Sequence, residues 1–98
     1  MLKLDKYKGF DWDKGNIDKS YQKHGITPNE AEEVFLDEKL IILGDIKHSN
    51  KEKRYSLIGK TTDKKLLFVV FTLRNRKIRI ISARKANKKE KNEYGKKA

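Results

Sequence analysis

The chain has no cysteine, a single proline, a single tryptophan and only two histidines among its 98 residues. Without thiols there are no disulfides, no thiolate metal ligands and no cysteine nucleophile, a composition that suits a reducing cytoplasm. His24 and His48 lie in different segments and form no HxxxH or HExxH pair, so no metal site is expected. A glycine-rich phosphate loop and a serine elbow are also missing, and no cofactor is expected; ATP-driven, redox and hydrolytic-triad chemistry are unsupported. No stretch approaches the length of a membrane span. The charged start Met1-Leu2-Lys3-Leu4-Asp5 does not read as a signal peptide. The expectation is a cytoplasmic protein with no membrane partner.

Charge is what the chain has in excess: 40% of its residues are charged and the net charge is +11. Residues 1–50 carry 8 lysines and no arginine against 10 acids, a net of −2, whereas residues 51–98 carry 12 lysines and 5 arginines against 4 acids, a net of +13. A basic half of that strength attracts polyanions such as RNA, DNA or an acidic protein. A lysine-rich solubilising surface is the bland alternative. Five arginines confined to one half weigh against it, because guanidinium grips phosphate in two-point geometry.

The length suits one domain over residues 1–98, with a loose lead-in over 1–9 and a basic helix or tail over 85–98. Phe10-Asp11-Trp12-Asp13 supplies two aromatic anchors, and Asp11 or Asp13 can cap a helix running to about His24, with Ile17 and Tyr21 on its inward stripe. Gly25 suits the left-handed position after its last turn. Thr27-Pro28-Asn29-Glu30 is a capping box with proline at the first helical position, and predicts a second helix ending near Asp37. Strands are expected at Leu40 to Leu43, closed by Gly44-Asp45, and at Arg54 to Lys60, with a polar loop from Ile46 to Lys53 between them.

The stretch Lys64 to Arg84 reads as a hairpin: Leu66 to Leu73, a turn at Arg74-Asn75-Arg76-Lys77 with Asn75 left-handed, and Ile78 to Ala83. Asn87-Lys88-Lys89-Glu90 resembles another capping pattern and starts a helix to Tyr94 with almost no apolar face. The fold class is therefore α+β: helix, helix, a four-stranded antiparallel meander and a helix, with the amphipathic helices on one face.

This inventory suits metal-independent RNA cleavage, in which the RNA's own 2′-hydroxyl attacks and the protein orients, moves protons and neutralises the phosphorane. Arg79 and Arg84 on the last strand head the candidates for phosphate contact, the alternative being salt bridges to the acids at Glu30 to Glu33. Arg54 is a third candidate, and Glu52 beside it can act as base or orient it. Lys23 and His24 end a helix, where the dipole favours positive charge, and can equally serve RNA or the cap. Arg74, Arg76, Lys77 and Lys85 are candidate RNA contacts, of which Arg74 and Arg76 read equally as solvated turn residues. His48 sits in the polar loop. Tyr94 can stack on a base or pin the last helix. Phe10, Trp12, Phe35, Phe68 and Phe71 are expected in the core.

Phe10-Asp11-Trp12-Asp13, Lys23-His24-Gly25-Ile26, Ala31 through Val34-Phe35, Glu52-Lys53-Arg54, Gly59, the strand from Leu67 to Thr72, Arg79-Ile80-Ile81-Ser82-Ala83-Arg84-Lys85-Ala86, Glu90 and Tyr94 together resemble the BrnT toxins. The KHGI and RIISAR segments carry most of the specificity. The resemblance implies a RelE-like ribonuclease of a type II toxin-antitoxin system that blocks translation and growth. It further implies neutralisation by a BrnA-like antitoxin covering the basic sheet face, and operator DNA bound only through the toxin-antitoxin complex. Two other readings stay open on the residues: a nucleic-acid-binding module that cuts nothing, and a protein-interaction domain without RNA chemistry.

Overall fold

The computed structural model describes residues 9–12, 25–46 and 54–97. The lead-in before Gly9, the helix expected up to His24 and the loop expected from Ile46 to Lys53 fall almost wholly outside the described residues.

Five strands form one sheet: β1 (Phe10–Trp12), β2 (Ile41–Ile46), β3 (Arg54–Lys60), β4 (Leu66–Arg74) and β5 (Lys77–Lys85), in spatial order β1-β5-β4-β3-β2. Strands β2 to β5 are the expected antiparallel meander. The fifth strand corrects the expectation of four. Phe10–Trp12 is itself an edge strand, parallel to β5 with Phe10 beside Ile78 and Asp11 beside Arg79. Its apolar–polar–apolar order is strand-like, but an aspartate between two aromatics reads equally well as a helix cap.

Two bulges shape the sheet. β2 does not stop at Gly44-Asp45; it continues to Ile46, with Gly44 at φ +89° and a register shift between Ile42 and Gly44. On β5, Val70 pairs with Ser82 and the next residue, Phe71, pairs with Ile80, so Ile81 is the extra residue. Strict alternation would put Arg79 and Arg84, five positions apart, on opposite faces. The bulge resets the phase and turns both to the same face. The β4–β5 hairpin closes through Asn75 and Arg76 at φ 52° and 62°, a two-residue turn matched to strand twist.

One face of the sheet carries the main core. Leu57, Leu67, Val69, Phe71, Ile78, Ile80 and Ala83 pack there against Ile26, Ala31 and Val34. The last two come from helix α1 (Pro28–Glu33) and the 3-10 turn Val34–Leu36 that extends it. The Thr27–Glu30 capping box is present: Glu30 N–H donates to Thr27 Oγ1 at 3.2 Å and Thr27 N–H to Glu30 Oε1 at 3.0 Å. Phe35 bridges Phe10 and Phe71 through two edge contacts, both at 5.2 Å between ring centres.

Helix α2 (Lys88–Lys97) packs on the other face, so the two described helices do not share one. It opens with the expected cap, Glu90 N–H donating to Asn87 Oδ1 and Asn87 N–H to Glu90 Oε1, both at 2.8 Å. Its apolar anchor is Tyr94, buried with Ala86 against Ile41 and Ile58. The Tyr94 hydroxyl donates to Asp37 Oδ2 at 2.7 Å, and Asp37 also accepts from the backbone N–H groups of Lys39 and Lys60. A helix too polar to dock by burial alone is thus held by the Tyr94–Asp37 bond together with the grip of Arg84 on Glu90.

Candidate active site

On the face against which α2 packs, the register lines up one row across four strands: Asp11 on β1, Arg79 on β5, Thr72 on β4 and Arg54 on β3. The backbones bearing Arg54 and Arg79 are two strand spacings apart, about 9–10 Å, with Thr72 buried between them at 4% exposure. Arg54 is exposed. Arg79 Nη1 donates to Asp11 Oδ2 at 3.3 Å, and the two side chains are 21% and 40% exposed. One non-adjacent pair further toward the hairpin tip, Arg74 faces Lys77 on the same side of the sheet. Four of the expected cationic residues, Arg54, Arg74, Lys77 and Arg79, therefore gather at one end, with Arg76 in the turn beyond.

Arg84 stands apart. It pairs with Phe68, four residues along β4 from Thr72 and so about 13 Å away. Its guanidinium lies 4.3 Å from the Phe68 ring centre and grips Glu90 at two points, 2.9 and 2.8 Å, while Nη1 also donates to the Lys85 carbonyl at 3.2 Å. Burial works against the charge on Glu90, but the bonds from Arg84 and the Asn87 N–H outweigh it and hold the carboxyl below its ordinary value. Neither Arg79 nor Arg84 is sealed inside. Lys85 is exposed and, by alternation from Arg84, turns to the opposite face.

Of the acids offered above as alternative partners for these arginines, Glu30 and Glu33 are engaged elsewhere. Glu30 binds Lys65 Nζ at 2.7 Å, and that bond, with the one from the Thr27 N–H, draws its carboxyl below the ordinary value. Glu33 accepts from the Thr62 N–H and hydroxyl. Lys23, His24, His48 and Glu52 lie outside the described residues. Tyr94 pins the last helix, the second of its two readings. Sequence reasoning missed Asp11, which it offered only as an alternative to Asp13 for a helix cap, and Thr72; the apolar–polar–apolar pattern of β1 was the one signal for Asp11. Among the described residues no group of three or more His, Asp or Glu side chains can hold a metal, and no helix is long and apolar enough to cross a membrane.

Fold and face together describe a small α+β domain with a cationic sheet end. Residues 12–90 match the family model described as the ribonuclease toxin, BrnT, of type II toxin-antitoxin systems, and the chain belongs to that family. It is thus a ribonuclease toxin by family, with RNA as substrate and an antitoxin as partner. Its fold is similar to that of the Brucella abortus ribonuclease toxin, BrnT, in a 1.1 Å crystal structure, at a TM-score of 0.62 and 21% identity, over 82% of this chain and 97% of that one. No curated protein matches the chain.

Proposed function

We propose that this chain is a RelE-like endoribonuclease that cuts RNA without a metal, at the end of the sheet face beyond α2. The observation that carries this reading is the row in which Arg54 and Arg79 flank Thr72. Side chains of that length, rooted about 9–10 Å apart, can close on one phosphate held between their guanidinium groups. Charge that develops on the phosphorane oxygens then meets two guanidinium groups. The RNA's 2′-hydroxyl is the nucleophile. Arg74, Arg76 and Lys77 extend the cationic surface for flanking phosphates. Arg84 reaches RNA only by leaving Glu90, so its first role is to tie α2 to β5. Lys23, His24, Glu52 and Lys85 stay in the proposal as further RNA contacts or proton carriers on the strength of the sequence.

In the cell, the same reading has a BrnA-like antitoxin cover the Arg54–Arg79 face, operator DNA bound only by the toxin-antitoxin complex, and action in the cytoplasm. The test is cleavage of single-stranded RNA in EDTA. Wild type should leave 2′,3′-cyclic phosphate ends, and Arg79→Ala and Arg54→Ala should each cut at least about 100-fold more slowly with an unchanged unfolding midpoint. Folded variants that cut at the wild-type rate would refute the site. RNA retained but left intact by wild type would instead favour the binding-module reading.

A further inference from the structure

Cleavage by the RNA's own hydroxyl needs a group to take that hydroxyl's proton, and arginine, permanently protonated, cannot be it. The described carboxylates differ sharply in their readiness for this. Glu30, Glu33, Asp37 and Glu90 each accept two or more internal hydrogen bonds that hold helix caps, a turn or the last helix. Asp11 is different. It shares the sheet row of Arg54 and Arg79, its side chain is 40% exposed, and Oδ2 meets Arg79 at 3.3 Å, a long contact for a charge-assisted bond. Its other oxygen, Oδ1, takes no hydrogen bond among the described residues.

We propose that Asp11 is the general base of this ribonuclease, an inference that rests on the site placed above. Asp11 Oδ1 takes the 2′-hydroxyl proton as that oxygen's electron pair forms the bond to the neighbouring phosphorus. The bond from phosphorus to the 5′-oxygen breaks, and the departing oxygen takes a proton from a solvent water. The hydroxide left behind recovers the proton from the Asp11 carboxyl. The products are a 2′,3′-cyclic phosphate and a 5′-hydroxyl, and the enzyme is returned to its starting state. Strand β1 then has a chemical purpose: paired parallel to β5, it sets a carboxylate beside the arginine that holds the phosphate.

Asp11→Asn separates this role from a merely positional one, since the amide keeps an oxygen that can accept from Arg79 but cannot take a proton at useful rates. Single-turnover cleavage should fall at least about 100-fold. Binding of a 2′-O-methylated oligonucleotide, which cannot be cut, should stay the same or tighten, because a negative charge has left the site. Thermal unfolding should be unchanged. Binding and cleavage lost in proportion would make Asp11 a positioning residue and overturn the proposal. Normal cleavage by Asp11→Asn beside impaired cleavage by Arg79→Ala overturns the base assignment alone; normal cleavage by both overturns the site as well.

Discussion

Gly59 shows how much one hydrogen atom can decide. It lies on β3 where the 3-10 turn crosses the sheet, and a Cβ built there would sit 2.8 Å from both Val34 Cβ and the Val34 carbonyl oxygen. Val34 is fully buried, so neither atom can swing aside. Gly59→Ala must push the turn off the sheet or strain β3, and overpacking of this kind costs about 1–3 kcal/mol. Thermal unfolding should show it as a midpoint several degrees below wild type, at about 4–8 °C per kcal/mol for a domain of this size. An unchanged midpoint would mean that the contact between turn and strand yields at no cost. RNA cleavage by the folded variant should be normal, since Gly59 points to the core face while the arginine row lies on the other.

Among the elements, α2 is the one whose attachment can be tested by pH. Burial, reinforced by the bond to the Asp37 carboxylate, pushes the Tyr94 hydroxyl up to about 12 from an ordinary 10.0. A group raised in the folded state stabilises fully below its unfolded value and stops doing so as pH climbs through the folded one. The advantage of wild type over Tyr94→Phe should therefore be present at pH 8, on the order of 1–2 kcal/mol for one buried hydrogen bond, and shrink between pH 10 and 12. Chemical denaturation at both ends of that range measures it. A constant gap would mean that the hydroxyl does not hold the helix. The same element shows what the sequence discloses. Both capping boxes, Thr27 with Glu30 and Asn87 with Glu90, were legible because each is a bond between residues three apart. So was the Asn75 turn. The Tyr94–Asp37 bond joins residues 57 apart, and the pairing of β1 with β5 joins residues 68 apart. Local pattern carries no trace of either pairing, and the three-residue apolar–polar–apolar order of β1 was too short to tell a strand from a helix cap. In the site, the arginines were legible from their type and clustering. Their grouping was not, because it depends on the register that sets Arg54 beside Thr72 across two strands, while the bulge at Ile81 decides which face Arg84 takes; neither were their partners, since Glu90 looked only like a cap and Asp11 like one of two possible caps.

At the scale of the whole molecule, a net charge of +11 predicts salt-sensitive RNA binding under every reading, so salt sensitivity as such decides nothing. The slope decides. Each phosphate neutralised on a single strand steepens the fall of log K with log salt by about 0.7. If binding is focused on Arg54, Arg74, Lys77 and Arg79, the slope for a short oligonucleotide should lie near −3, about four such contacts. Removing Arg79 should flatten it by about 0.7, whereas removing exposed Lys88 or Lys89 on α2 should leave it unchanged. A diffuse lysine coat predicts otherwise: a steeper slope, with small and equal losses wherever a cation is deleted. The two outcomes separate in a single titration series on a 2′-O-methylated strand, where binding is measured without cleavage. The slope thus asks whether the cations of the second half act as one surface or as a site, and the alignment of β3, β4 and β5 argues for the site.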